Sequence, residues 1–404
     1  MNDPVAALDF DKVTAAVTAR RDKAGFSLFG GEPLLAPLAT LERLWAWGHL
    51  QYGQNGVQTG GRPMSEDIYA LVRKYNVNLS FSIDGPGECN DARRAGTLAQ
   101  TREATAHSCA WLERALQDGY ANGIIVTLHR MNGSADRLPL LLAWLRKLRH
   151  FGLKNVNVHA LELDGAAHTL ALPTTQAINA MVQLWDACRE ASINMAPFDD
   201  MLAMLRGKDR WRWSDGTEGS VGCTWTACDP MTTPAVQGIE ADGSSTMCQR
   251  VNKTRTVWTP GKPGPLVRQL VLRATPFEDG GCKGCRQMIT CKGQCPGTAI
   301  GGDWRKRSND CGLWKGLLEY LEGWLGEHGE QPVTLLPNRD EIEQRMVEWW
   351  KRGRVVTIAD VLAGRTPDDN TGLGHYDHQD HTDHVDHNDL GLAMTGLAGG
   401  EEVC

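Results

Sequence analysis

Cys282-Lys283-Gly284-Cys285-Arg286-Gln287-Met288-Ile289-Thr290-Cys291-Lys292-Gly293-Gln294-Cys295 puts four thiols into one short run with the spacing C-x2-C-x5-C-x3-C. No apolar period of a helix or strand runs through it, so the stretch depends on its thiols rather than on a hydrophobic face. Upstream stand Cys223 and Cys228, then fourteen residues, Gly243, four residues and Cys248; Cys311 follows downstream. Eight of the chain's twelve cysteines therefore lie between 223 and 311. Close pairs let two thiolates reach one metal from a tight turn, and a later cysteine closes the shell. On spacing alone a structural zinc and an iron–sulfur cluster both remain open. Cys89, Cys109 and Cys188 stand apart and are expected to be small buried or half-buried hydrophobes, and Cys404 is the last residue.

The texture around this stretch divides the chain. Residues 1–213 alternate apolar or β-branched runs (26–29, 56–59, 78–83, 123–128, 155–160) with amphipathic ones (34–47, 65–75, 97–118, 134–150, 174–191), after an initial helix at 9–20. Such βα repetition predicts a parallel sheet with its chemistry at the carboxyl ends of the strands. Those ends read Gly30-Gly31-Glu32-Pro33, Thr59-Gly60-Gly61 and Ser82-Ile83-Asp84-Gly85. Residues 214–312 are the small cysteine-rich unit. Residues 313–363 return to amphipathic helix, with Trp314, Leu317, Leu318, Leu321 and Leu325 on one face, and 364–404 form a polar linker and tail expected to be disordered.

Composition excludes several classes of function. The 404 residues are 41% hydrophobic and 23% charged, which suits two or three globular units rather than bulk disorder. A net charge of −7 with dispersed Lys and Arg offers no electrostatic footprint for nucleic acid. The longest apolar run, Leu138 to Leu145, is far short of the ~20 residues of a membrane span. The first residues carry Asp3, Asp9 and Asp11 and no basic leader, so a cytoplasmic protein with reduced thiols is expected. Fourteen Trp against seven Phe suggest either core packing or an indole-lined peptide groove at Trp211-x-Trp213 and Trp349-Trp350, and core packing is the simpler expectation. Asp199, Asp200 and Glu162 are candidate pocket carboxylates; for the aspartates a loop or helix-start role is the simpler reading.

The cysteine pattern resembles the SPASM domain that follows the barrel in peptide-modifying radical SAM enzymes, such as anaerobic sulfatase maturases and cyclophane-forming types. All seven characteristic cysteines match, and Cys223 resembles the extra upstream ligand. The resemblance implies a partial (β/α)6 TIM-type barrel, missing its first strand, followed by a SPASM domain with two auxiliary 4Fe-4S clusters. One would be held by Cys223, Cys228, Cys248 and Cys295, the other by Cys282, Cys285, Cys291 and Cys311. Gly30, Gly31, Glu32 and Pro33 resemble the loop that receives the methionyl end of S-adenosylmethionine. Ser82 and Asp84, with Asp91 and Arg94, resemble a run whose serine and arginine contact the nucleoside and carboxylate. It further implies a peptide substrate and a reductant such as ferredoxin or flavodoxin, with no need of nucleic acid or membrane.

Three departures qualify the resemblance. The radical-generating cluster of these enzymes uses a CxxxCxxC motif, and this sequence has none; a start placed too far downstream is the expected reason, a non-catalytic barrel the alternative. Without that motif the chain lacks the ligands for a third 4Fe-4S cluster. Gly60 stands where many relatives carry Asn, and Gln249 follows Cys248 where some carry an acidic base, so the proton acceptor is unassigned. The tail His375-Tyr-Asp-His378-Gln-Asp-His381-Thr-Asp-His384-Val-Asp-His387-Asn-Asp389 repeats His-x-Asp five times. The resemblance implies that it is a substrate on the same chain, because cyclophane-forming members join the aromatic ring of a triplet's first residue to the β-carbon of its third. Metal binding by imidazole and carboxylate is the alternative, as is metal binding or peptide scaffolding for the whole protein.

Overall fold

Short runs rich in Val, Ile, Leu and Phe become the parallel strands β1 (Ser27–Phe29), β2 (Asn55–Thr59), β3 (Val77–Ser82), β4 (Gly123–Leu128), β5 (Asn155–Ala160) and β6 (Asn194–Ala196). The computed structural model describes residues 8–19, 26–163, 165–212, 218–232, 237–248, 250–251, 264–367 and 390–393. The six strands pair in chain order, each parallel to the next. Leu28, Val57, Phe81, Val126 and Val156 are buried along it, as expected where helices cover a parallel sheet. Five of these strands are those of the sequence reading. The sixth escaped it because Asn194-Met195-Ala196 has a single buried apolar residue, Met195.

The intervening helices carry their own start and stop signals. Ser65 caps Glu66–Lys74 through Ile68 N, with Glu66 and Asp67 in the first turn and Arg73 and Lys74 in the last. Thr97 and Gln100 form a capping box for Leu98–Gln117. Gly53 (φ 76°) and Gly152 (φ 113°) end Leu38–Tyr52 and Leu138–Phe151 in the left-handed region. On the other side of β1 the sheet continues with Leu390–Ala393, parallel and in register from Ser27 against Gly391, then Gln237–Glu240 and Ser245–Met247. The sequence reading placed no strand in 390–393.

By contact the chain divides into two compact units. One comprises 1–197, 238–246 and 387–404; the other comprises 198–237 and 247–386. The second holds all eight clustered cysteines and, among its described helices, Phe198–Leu205, Val267–Ala274, Met288–Cys291, Cys311–Glu327, Arg339–Lys351 and Ile358–Leu362. Cys311–Glu327 buries Leu313, Leu317, Leu318, Leu321 and Leu325. Trp225, Trp349 and Trp350 are core residues, which agrees with packing rather than a groove for the last two. The side chains of Trp211 and Trp213, and the whole His-x-Asp repeat 375–389, lie outside the described residues. No helix among the described residues is long and apolar enough to cross a membrane.

Candidate functional site

In the barrel unit the site lies at the carboxyl ends of β1 to β3. Gly30 (φ 89°) and Gly31 (φ 53°) turn the chain through the left-handed region that favours glycine. They deliver Glu32, half-buried, beside the end of β2. Its Oε1 accepts from Thr59 Oγ1 at 2.8 Å and Leu34 N at 3.3 Å, and its Oε2 from Gly60 N at 2.8 Å. Burial pushes the Glu32 carboxyl above its ordinary value, and these bonds only partly offset that. Pro33 is buried and opens the short helix Pro33–Leu35. Ser82, buried at the end of β3, accepts from Gln58 Nε2 at 3.1 Å, and no acceptor for its own proton is recorded.

Asp84 is committed differently. Its Oδ1 accepts from Arg93 Nη2 and Thr127 N, both at 2.8 Å, and its Oδ2 from Arg93 Nε at 2.8 Å and His129 Nε2 at 3.2 Å. These fill about the four lone-pair directions of a carboxylate. Burial pushes the Asp84 carboxyl up, but the His129 bond and the Arg93 charge outweigh it and hold it below its ordinary value. Since His129 Nδ1 accepts from Met131 N at 3.2 Å, Nε2 carries the ring proton given to Asp84. Asp91 accepts from Arg102 at 2.8 Å, while Arg94 is exposed with no recorded partner. Sequence reading singled out Arg94 and missed Arg93 and His129; the only available signal for His129 was its place directly after β4.

In the second unit, electrostatic neighbours sort the cysteines. Burial pushes the Cys228 thiol up, and Cys295 and Cys248 add to it. Burial likewise raises Cys282, with Cys291, Cys285 and Cys311 as its thiol neighbours; Cys291 is pushed up to about 12. Cys223 lies in the turn just before Cys228. Cys228, Cys248 and Cys295 thus neighbour one another, as do Cys282, Cys285, Cys291 and Cys311, while Cys223 precedes the first group in sequence. The adjacent cysteines 291 and 295 part company because Lys292, Gly293 and Gln294 all have positive φ (51°, 78° and 60°). That costs about 1–2 kcal/mol at each non-glycine position.

Two buried cations accompany the thiols, and neither was legible in sequence. The Arg268 guanidinium donates to the carbonyls of Trp304 at 2.7 Å, Gly293 at 3.1 Å, and Lys292 and Lys306 at 3.3 Å. Its charge is felt by Cys228, Cys295 and Cys282, members of both groups. Lys292 Nζ donates to Trp225 O at 2.6 Å, and burial pulls its ammonium down to about 7.

The donor set fits iron–sulfur clusters. One cavity is lined by Cys282, Cys285, Cys291 and Cys311 together with Gln294 and Arg307. Gln294 Nε2 and Arg307 Nε are buried with no acceptor among the described residues, as expected if a sulfur-rich group is their acceptor. No three Cys, His, Asp or Glu among the described residues converge as one metal ion's shell. Cys89 and Cys188 are buried, and burial pushes Cys89 up to about 11 and the half-buried Cys109 up to about 12. Their burial suits the packing role expected of them.

No protein-family model matches the chain, and neither does any curated protein. Solved structures do. anSMEcpe with bound AdoMet and Kp18Cys peptide covers 80% of this chain and 90% of its own at 18% identity, TM-score 0.55. anSMEcpe with bound AdoMet covers 81% and 92% at 17% identity, TM-score 0.55. The likeness is one of fold. The chain shares with these neighbours an α/β fold of six parallel strands covered by helices.

Proposed function

We propose that the protein is a peptide-modifying protein of the radical SAM/SPASM kind, with S-adenosylmethionine in the barrel and two auxiliary 4Fe-4S clusters in the cysteine-rich unit. The observation that carries this is the sorting of the clustered cysteines into two groups around a fold like that of anSMEcpe. Glu32, steadied by Thr59 and Gly60, retains one lone-pair direction, on Oε2, for the ammonium of S-adenosylmethionine, and the Ser82 hydroxyl has a proton to give to its ribose. Arg94 is available for the ligand's carboxylate. Asp84 is a positioning residue, locking the β3 and β4 ends through Arg93 and His129 rather than meeting the ligand. In such proteins the bound groups supply a hydrogen-abstracting organic radical and an electron acceptor, with a ferredoxin- or flavodoxin-like reductant. The third cluster has no CxxxCxxC ligands in this sequence, so the chain as given is expected to leave S-adenosylmethionine uncleaved.

The substrate we infer is a peptide, first of all the repeat 375–389 of the same chain. Asp389 directly precedes Leu390, the start of the strand beside β1. A four-residue strand rises about 13 Å, and fifteen extended residues span up to about 50 Å, so the tether permits the earlier triplets of the repeat to reach the Glu32 edge. Its effective concentration there would be high. The reaction joins a ring carbon of His375, His378, His381, His384 or His387 to the β-carbon of Asp377, Asp380, Asp383, Asp386 or Asp389. Each link forms one C–C bond and removes two hydrogens as two protons and two electrons in total. Mass spectrometry of the tail peptide, from cells carrying the gene, tests this through the loss of two hydrogens per link. An unmodified tail that binds nickel or zinc tightly until its histidines are replaced would point to metal binding instead.

A further inference from the structure

We propose that the side-chain amide of Gln294, seconded by the Nε–H of Arg307, donates hydrogen bonds to the cluster held by Cys282, Cys285, Cys291 and Cys311 and raises its reduction potential. The proposal rests on the iron–sulfur reading above and adds which residues tune the potential of the Cys282–Cys311 cluster.

Two local penalties meet at Gln294. Its backbone sits at φ 60°, where glycine would be unstrained. Its amide nitrogen is buried, the residue being 3% exposed, with no acceptor among the described residues. A buried donor without an acceptor and a strained backbone at one residue point to a function rather than to folding. Both penalties serve one outcome if the left-handed turn exists to aim the amide into the cysteine cavity that Gln294 lines. Turning the amide over would aim its oxygen at thiolate and sulfide sulfur, so the nitrogen is the group that faces a cluster.

Arg307 occupies the same cavity wall. Its Nη1 donates to Gly281 O at 3.0 Å and to Phe277 O at 2.5 Å, which fixes the guanidinium and leaves Nε–H without an acceptor. The guanidinium also hydrogen-bonds the Cys311 side chain and draws its thiol downward against burial. Hydrogen bonds to cluster sulfur disperse the charge added on reduction and so favour the reduced form. Arg268 does not separate the clusters in this way, because its charge is felt by cysteines of both groups.

The experiment compares wild type with Gln294→Gly, a change that relieves the backbone strain while deleting the donor. Both are reconstituted anaerobically, assayed for iron, and titrated with electron paramagnetic resonance detection; Cys285→Ala identifies which signal belongs to the cavity cluster. The expected result is equal iron content, an apoprotein at least as heat-stable as wild type, and a downward shift in the potential of the Cys285-dependent signal alone. Arg307→Lys, which retains the charge without Nε–H, is expected to shift the same signal. Equal iron with unshifted potentials, or equal shifts in both signals, overturns the donor assignment and leaves the cluster reading standing. Zinc without iron in reconstituted wild type overturns the cluster reading and the proposal with it.

Discussion

Asp84 Oδ2 accepts the Nε2 proton of His129 at 3.2 Å, joining the residues that follow β3 and β4 while Arg93 grips the same carboxylate from the other side. Asn132 reinforces the join, donating to Asp84 O at 2.9 Å and Thr127 O at 2.8 Å. The carboxylate thereby ties the loop after β3, which follows Ser82, to its neighbouring strand.

Replacing Asp84 by Asn should destabilise the fold by about 2–3 kcal/mol. Breaking a fully buried pair costs about 3–5 kcal/mol, and the value is discounted because the Arg93 side chain is 35% exposed. The folded carboxyl lies below its ordinary value of 3.8. Its contribution is therefore complete above that value and is lost as pH falls through the lower folded one. Urea midpoints of wild type and Asp84→Asn should converge in acid; a constant gap down to unfolding would contradict this.

Gly293→Ala should destabilise the cysteine-rich unit. Its φ of 78° costs alanine about 1–2 kcal/mol, and the new Cβ would lie 2.5 Å from Leu272 Cδ1. Because Gly293 separates Cys291 from Cys295, iron retention should fall together with the melting temperature. A variant that melts and loads like wild type would show that the turn is dispensable.

Anaerobic reconstitution should load roughly eight irons per chain, as two 4Fe-4S clusters, and Cys285→Ala should lose about half. Elemental analysis with visible absorption checks both numbers. Stoichiometric zinc without iron–sulfur absorption would count against the cluster reading.

S-adenosylmethionine should bind weakly, and dithionite should release no 5′-deoxyadenosine from the chain as given. Glu32 lies above its ordinary value of 4.5, chiefly through burial. Affinity should therefore rise as pH climbs through the Glu32 value toward neutrality, as the carboxylate forms to meet the ligand's ammonium, and Glu32→Gln should flatten the profile. Without ligand the sign for stability is opposite: the contribution falls as pH rises from 4.5 through the folded value. Isothermal titration across pH separates the outcomes, and an unchanged profile in Glu32→Gln would rule the residue out as the ammonium's partner.

Much of the fold was legible because its signals are local. Apolar runs such as Val77–Ser82 and the leucine face of Leu138–Phe151 repeat at strand and helix periods, and the positive-φ glycines at 30 and 31 mark a turn that other residues rarely make. Asn194–Ala196 was not legible, since three residues with one apolar side chain carry no period and become a strand only by pairing with β5.

The sequence alone determined the strand and helix alternation, the Gly30–Glu32 loop and the cysteine spacing, since backbone preference and residue chemistry act over a few neighbours. Only the tertiary structure decided that Arg93 rather than Arg94 holds Asp84, because that depends on how the 86–97 loop closes over the end of β4. Likewise, spacing left open which cysteines stand together. Three successive residues with positive φ between Cys291 and Cys295 send them to different groups, and Arg268, from a helix distant in sequence, brings its charge to both. Such partners are selected when long loops close, and a local period carries no record of that choice.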